Sequence, residues 1–226
     1  MKLSNKILLG FFGFIFLYFT AALAELRLSG AQNLDDNPNS ITESADLSRI
    51  GYLVIRDMNR SIDVIGSDRS RLEVHSLSGD QLKKLQYEVS GDTLVLSGFE
   101  SEESYRMVRI YVFVPNNTLT GITATSSAVT VKDLRMESFR ISENAARIDM
   151  SGGKISKLKL DAENGSYLNL DNTGVDTLSV TIEGSNVYTD AVGFLQGSLK
   201  NKARMQVNKN REIQLKKDES SELIIF

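Results

Sequence analysis

Three glutamates recur at equal spacing in the second half of the chain: Glu143, Glu163 and Glu183, at steps of 20 residues. Equal spacing places residues above one another if the chain winds in coils of that length. Stacked carboxylates would offer the oxygen ligands that a hard cation such as Ca²⁺ takes. Lys202 in the next coil is placed to continue the column and to pair with Glu183, which would offset the repulsion between the carboxylates. Alternatively, the glutamate side chains extend separately into water and bind nothing. The column is thus a candidate calcium site, and no other cofactor is indicated.

The single histidine, His75, lies in the run RLEVHSL. Leu72 and Val74 take the inward places of an alternating strand, so His75 is expected to point outward, alone and exposed. A histidine general base needs a reacting group within hydrogen-bond reach, and no Ser or Cys lies at a motif spacing from this one. The nucleotide-binding, zinc-protease and serine-hydrolase motifs are also missing from the sequence. We therefore expect no catalytic residues and no enzyme.

Composition narrows the classes of partner. The 226 residues include 26 Lys and Arg against 29 Asp and Glu, a net charge of −3, and no Cys. A weakly acidic chain lacks the basic face that nucleic acids need. The lack of Cys excludes disulfides and thiolate metal sites. The fold must therefore be stabilised by its core alone.

Residues 1–24 carry a targeting signal. Lys2 and Lys6 precede 18 uncharged residues, 7–24, long enough for a spanning helix of about 27 Å. The positive end stays in the cytoplasm, so everything after Ala24 is expected to be exported. We expect a membrane anchor that holds the chain facing the periplasm or cell exterior. The alternative is a signal peptide cleaved after Ala24, which leaves a secreted or periplasmic chain beginning at Glu25.

The rest of the chain divides at about residue 48. Residues 25–48 are polar and without period, which indicates a linker or an irregular cap. From residue 49 onwards short runs alternate between apolar and polar residues, such as YLVIR at 52–56 and SIDVI at 61–65. Residues 49–226 are therefore expected to form one all-β domain.

After Pro115 a longer repeat of about 17–20 residues appears. Each repeat has a first apolar pair, then a small residue, then a second apolar pair. The first pairs are Ile122/Ala124, Phe139/Ile141, Leu158/Leu160, Leu178/Val180, Gly197/Leu199 and Ile213/Leu215. The second pairs are Val129/Val131, Ile148/Met150, Leu168/Leu170, Val187/Thr189, Met205/Val207 and Leu223/Ile225.

This repeat predicts a parallel β-helix, or β-solenoid, preceded by one hydrophobic helix. A single coil cannot bury its own apolar residues, whereas coils stacked about 4.8 Å apart bury them together. Leu160 and Leu170 should therefore be buried and Lys159 exposed. The small residues, including Gly165 and Gly184, are expected at inward corners, where a side chain would push the next coil away. Right-handed winding is expected, because parallel crossovers are usually right-handed.

Four segments in order carry a family resemblance: DVIGSDRSRLEVHSLSG, YEVSGDTLVLSG, VRIYVFVP and LTGITATSSAVTV. Over about residues 49–226 the chain resembles the GIN-domain family, described as putative autotransporter adhesin heads and common in secreted or envelope proteins of Bacteroidota. The resemblance implies a parallel β-helix and an adhesin-like role, and it implies no catalytic residues. The coil corners depart from the family's repeated Ser-Gly steps, reading SSA, ENA, ENG, EGS, NKA and ESS.

The sequence therefore predicts a non-enzymatic binding or scaffolding module of a Gram-negative cell envelope. Its expected partner is an envelope protein or a glycan, and not a nucleic acid. Two alternatives stay open at this point: a structural envelope component, and a glycan-degrading enzyme that uses paired carboxylates on an outer face.

Overall fold

The computed structural model describes residues 3–28, 34, 37–102 and 107–226. The chain divides into two units, Met1–Asn39 and Ser40–Phe226. The first unit contains the helix α1, Leu3–Leu28. Between residues 10 and 24 most of its large apolar side chains are exposed. Within the described part of the chain, no helix combines the length and hydropathy needed to cross a membrane.

The second unit is built from strands and includes a 3₁₀ turn at Leu82–Lys84. Short alternating runs of β-branched and aromatic residues, interrupted by Gly, Asp, Asn and Ser, form these strands and the turns between them. The strands are β1 Ile41–Asp46, β2 Tyr52–Arg56, β3 Ile62–Ser67, β4 Arg71–Ser76, β5 Leu85–Ser90, β6 Thr93–Phe99, β7 Val108–Pro115, β8 Gly121–Thr125, β9 Ala128–Lys132, β10 Arg135–Asn144, β11 Arg147–Ser151, β12 Lys154–Glu163, β13 Tyr167–Asp171, β14 Gly174–Glu183, β15 Asn186–Lys200, β16 Arg204–Lys217 and β17 Glu222–Ile225.

The strands form one sheet that winds as a β-solenoid of about six turns. Parallel pairing stacks them on three faces around an apolar interior. Face A contains β6, β2, β8 and the last residues of β10, β12, β14, β15 and β16. Face B contains β7, β3, β9, β11, β13, the first residues of β15 and β16, and β17. Face C contains the remaining parts of β10, β12, β14, β15 and β16. The predicted all-β solenoid with one N-terminal helix is confirmed.

Antiparallel strands close the N-terminal end. β4 pairs antiparallel with β7, β1 with β4, and β5 with β6. The segment 25–48, expected to be a linker or irregular cap, therefore contains the strand β1. This strand has no apolar alternation, because neither of its faces is fully buried. β1 therefore forms a strand because it pairs with β4, and not because of an apolar alternation in its own sequence.

The N-terminal coils are stacked in an order that differs from the chain order. β2 pairs with β6 on one side and with β8 on the other. β3 likewise pairs with β7 and with β9. The coil made of β2 and β3 therefore lies between two coils that come later in the sequence.

The second apolar pairs of the repeat are in the predicted register on face B. Val129 pairs with Ile148, which pairs with Leu168, and the column continues to the last coil. Leu160 and Leu170 are fully buried, as expected, and Lys159 is exposed. Burial of these columns gives the unit one continuous core.

The predicted register of the first apolar pairs is confirmed in the middle of the solenoid and is wrong at both ends. Ile122 pairs with Ile141 rather than with Phe139. Gly197 pairs with Val180 rather than with Leu178. Each error is a slip of two residues, which leaves every side chain on its own side of the strand. Alternation of apolar residues therefore cannot reveal it.

The corner between faces A and B also differs in detail from the prediction. Gly165 adopts a φ of +80°, and a Cβ added there would meet nothing within 4 Å. The expectation that a side chain at Gly165 would crowd the next coil is therefore wrong. The inward corner position belongs to the following residue, Ser166, which is fully buried. The equivalent corner residues are Ser127, Ala146, Ser185, Ala203 and Ser221.

Serine hydroxyls connect adjacent coils at this corner. Ser166 Oγ donates to the Glu163 carbonyl at 2.7 Å and accepts from the Ala146 N–H at 3.3 Å. The Ser166 N–H in turn donates to Ser185 Oγ at 3.1 Å. These bonds satisfy buried backbone donors where the strands break, so a small hydroxyl residue suits the position.

Candidate binding site

The structure removes Glu143 from the column of three glutamates that the sequence predicted, and it leaves Glu163 and Glu183 on adjacent coils. Glu163 is exposed and lies beside Asn144, whose Nδ2 donates to Glu163 Oε1 at 3.0 Å. Glu183 lies beside Lys200, not Lys202. Glu143 pairs with Ala162 and faces the interior. The local repeat is 19 residues rather than 20, and a slip of one residue moves a side chain to the opposite side of the strand.

Glu143 is a buried acid without a hydrogen-bond partner. Its side chain is 1% exposed, and neither carboxyl oxygen has a partner among the described residues. Its column neighbours Ala124 and Ala162 are small, which leaves room for the longer side chain. Burial, and to a lesser degree the negative charge of Asp149, raises the pKa of Glu143 to about 8. The residue is therefore protonated at neutral pH and sits away from the outer surface.

His75 points to the outer side of β4 as predicted, but it is neither exposed nor alone. Its Nε2 lies 3.0 Å from Glu73 Oε2, and its ring packs on Tyr111 with centroids 4.7 Å apart. Arg71 Nε also lies 2.8 Å from Glu73 Oε1. Because β1 covers one edge of β4 and β7 the other, the outer side of β4 is half-buried. The sequence does not predict this cover, because it places β1 in a linker or an irregular cap.

No metal centre is assembled in the described ranges. No group of three or more His, Asp or Glu side chains converges there in a way that could hold an ion. Calcium binding by Glu163, which is exposed, and Glu183, which is half-buried, stays a prediction. A comparison of melting temperatures with and without millimolar Ca²⁺ would test it.

The described surface with the richest binding chemistry lies on face B in the C-terminal coils. Strand alternation turns Ile148, Leu168, Val187 and Met205 inward and their neighbours outward. We call these outward neighbours the polar–aromatic surface. It comprises Arg147, Asp149, Tyr167, Asn169, Asp171, Asn186, Tyr188, Asp190, Arg204, Gln206 and Asn208.

Two tyrosines form the centre of the polar–aromatic surface. Tyr167 and Tyr188 lie on adjacent coils, with ring centroids 5.4 Å apart and planes inclined by 38°. The Arg147 guanidinium lies 4.4 Å from the Tyr167 ring centroid and bonds Asp149 at 2.7 and 3.0 Å. These contacts hold the Tyr167 ring against the sheet.

Asp190 organises the polar side of this surface. It accepts from the Asn172 backbone N–H at 3.3 Å and from Asn208 Nδ2 at 2.8 Å. A hydrogen bond with Asp190 raises the pKa of Asp171, whereas the pKa of Asp190 is lowered, chiefly by the Asn172 N–H.

A depression of about 270 Å³ opens beside the tyrosines. Its outward lining includes Tyr167, Asn169, Tyr188, Gln206 and Asn208. A second depression of about 490 Å³ continues round the corner towards face C, past Lys209, and shares Asp190 and Asn208 with the first. A preformed concavity with aromatic and polar groups in its wall is typical of a ligand site.

The sequence analysis named none of these outward residues. It identified the inward columns of face B correctly, and those columns fix the outward residues by alternation. Reading the intervening positions across coils places Asn169 beside Tyr188, with Tyr167 diagonally opposite Tyr188. This comparison requires that the register between coils is already known. Composition and motif searches therefore do not reveal these residues.

Comparison with protein families matches residues 57–220 to the family described as "Putative auto-transporter adhesin, head GIN domain". The chain belongs to this family. The resemblance drawn from four short segments is thereby confirmed. The matched range includes the whole polar–aromatic surface of this GIN domain.

One of the solved structures that resemble this chain shares the fold. A putative adhesin from Bacteroides fragilis NCTC 9343 is 13% identical, with a TM-score of 0.55 over 84% of this chain and 98% of that chain. A putative adhesin from Parabacteroides merdae is 9% identical, with a TM-score of 0.43 over 84% and 97%. Comparison with curated proteins found no match. At such identities the first likeness supports the solenoid fold and no particular ligand.

Proposed function

We propose that this GIN domain is a non-enzymatic, adhesin-like binding module and that the polar–aromatic surface makes the contact. The observation that carries the proposal is the pair Tyr167 and Tyr188 beside a depression lined with amide and carboxylate groups. Aromatic rings with a polar tip are the side chains that binding surfaces favour. Stacked strands hold them rigidly, which lowers the entropy lost on binding.

A bead assay tests the binding role. Beads coated with the full chain are mixed with the envelope fraction of the cells that produce it. Wild type should retain envelope material, and Tyr167→Ala/Tyr188→Ala should retain several-fold less. Tyr87→Ala is the matched control, because Tyr87 is an exposed tyrosine on β5, outside this surface.

Three results would count against the proposal. Equal retention by wild type and double variant would show that the contact is made by another surface. No retention by wild type would favour the alternative of a structural envelope component. Release of reducing sugar from mixed polysaccharides would show a glycan-degrading enzyme.

We also propose that the chain is exported to the cell envelope. Membership of a family described as adhesin heads supports this location. Lys2 and Lys6, followed by the uncharged run 7–24, support insertion with the positive end in the cytoplasm. Full-length protein should fractionate with membranes and resist carbonate extraction. A mature chain that begins at Glu25, detected by mass spectrometry, would contradict the membrane anchor and would still support export.

A further inference from the structure

We propose that the polar–aromatic surface binds a neutral oligosaccharide. The inference rests on the proposed binding function and adds the chemical class of the ligand. It follows from three properties of the surface: its aromatic faces, its hydrogen-bonding groups and its balance of charge.

The aromatic faces suit the apolar side of a sugar ring. Tyr167 and Tyr188 are half-buried, and Arg147 lies over one face of the Tyr167 ring. Their planes are inclined by 38°, close enough to parallel for one extended ligand to touch both. A pyranose ring presents C–H groups on its faces and hydroxyls around its edge. It therefore matches an aromatic platform with polar groups beside it.

The surrounding side chains suit the hydroxyls. Asn169, Gln206 and Asn208 each carry an amide, which both donates and accepts, and Asp190 accepts. A sugar hydroxyl also donates and accepts, so planar amides and carboxylates can bond neighbouring hydroxyls in pairs. Asn208 is held by its bond to Asp190 at 2.8 Å, which fixes its orientation before a ligand arrives.

Both arginines of the surface are paired with acids. Arg147 bonds Asp149, and Arg204 Nε lies 3.5 Å from Glu222 on β17. Asp190 accepts hydrogen bonds from the Asn172 N–H and from Asn208, and it lies beside a second acid, Asp171. An anionic glycan or a phosphate would require cations that are not already engaged. Internal pairing therefore favours an uncharged ligand.

The shape of the site favours more than one sugar unit. The two depressions share Asp190 and Asn208 and together form a groove from face B towards face C. Small-molecule pockets commonly measure about 300–1,000 Å³, and the two volumes lie around the lower end of that range. An elongated groove across stacked coils matches a short chain of sugars better than a compact metabolite.

Selective destruction of the envelope material tests the ligand class. Periodate cleaves the vicinal diols of sugars, and proteinase K removes protein. Periodate treatment should abolish retention on wild-type beads, and proteinase K should leave it unchanged. Retention should also survive 0.5 M NaCl, roughly the range in which screening suppresses contacts between exposed charges.

An array of neutral oligosaccharides provides the direct probe, with heparin as the anionic comparator. We expect binding to neutral members, at least a ten-fold loss in Tyr188→Ala and in Asn208→Ala, and no change in Tyr87→Ala. Circular dichroism confirms that each variant keeps its β signal. Loss of retention after proteinase K, preference for heparin, or no neutral binding would overturn the inference. Tyrosine-dependent retention in the bead assay would in that case still support the proposed function.

Discussion

Glu143 and Ala162 are register partners on adjacent coils, and both side chains face the core. An alanine therefore occupies the position that a second glutamate would take if the spacing of 20 residues set the register. The pairing leaves one carboxyl group inside the solenoid, where the charged form is strongly disfavoured.

The buried acid predicts a pH dependence of stability. Glu143 has a folded pKa of about 8, against an ordinary value of 4.5, so folding binds a proton between these values. The contribution of protonated Glu143 to the free energy of unfolding is fully present below about pH 4.5. It is lost by about 1.4 kcal/mol per pH unit as the pH rises to about 8. Urea unfolding at several pH values should show Glu143→Gln without this slope. Glu163→Gln, at an exposed position one coil away, should keep the wild-type slope; equal slopes in Glu143→Gln and wild type would contradict the assignment.

Inward and outward positions of face A should differ in their tolerance of an acidic substitution. Leu160→Asp would bury an unpaired carboxylate and should lower the free energy of unfolding by several kcal/mol, on the order of the whole stability of a domain. Lys159→Asp, at the exposed neighbouring position, should change it by less than about 1 kcal/mol. Chemical denaturation measures both, and similar losses in the two variants would show that the strand faces are wrongly assigned.

Three glycines should differ in their tolerance of alanine. At Gly197, φ is +135° and an added Cβ would overlap the Val180 carbonyl oxygen, so Gly197→Ala should lose about 2–3 kcal/mol or more. At Gly165 only the positive φ opposes alanine, so about 1 kcal/mol should be lost. Gly174 has neither restriction, so Gly174→Ala should be neutral. Thermal melts that fail to give this order would rule out the backbone explanation.

Two buried threonines should respond in opposite ways to valine. Thr189 Oγ1 has no hydrogen-bond partner within the described residues, whereas Thr173 Oγ1 donates to the Gly152 carbonyl at 3.2 Å. Thr189→Val removes an unpaired hydroxyl and should raise the free energy of unfolding by about 1 kcal/mol. Thr173→Val removes the hydroxyl that donates to the Gly152 carbonyl and should lower the free energy of unfolding by about 1 kcal/mol. A loss of stability in Thr189→Val would show that its hydroxyl is satisfied.

Most of the fold could be predicted from the sequence, because parallel coils repeat the same inward positions. The column from Val129 through Ile148 to Leu168 is regular enough to fix the register of face B. Face A was less certain, since Ala124, Glu143 and Ala162 share a column without sharing a chemistry. Alternation assigns a residue to a side of the strand, but only pairing between coils assigns it to a neighbour.

The residues of the candidate site meet only through pairing between adjacent coils, so the sequence alone does not reveal the site. Tyr167 and Tyr188 are 21 positions apart, while their main-chain pairing follows a step of 19, as in Tyr167 with Asn186. Their contact is therefore diagonal, and no single spacing in the repeat reveals it. His75 shows the same limit, since its surroundings come from β1 and β7 and not from its own strand.

The order of the N-terminal coils constrains when each part of the chain can fold. As the chain leaves the ribosome, β2 appears early but has neither of its neighbours until β6 and then β8, ending at Thr125, have followed. From β10 onwards each new coil adds directly to the one before it, with a contact separation of only 17–20 residues. Short separations close quickly and long ones slowly. The coil of β2 and β3 must therefore wait for β6 to β9, whereas each later coil can pair as soon as the coil before it is in place.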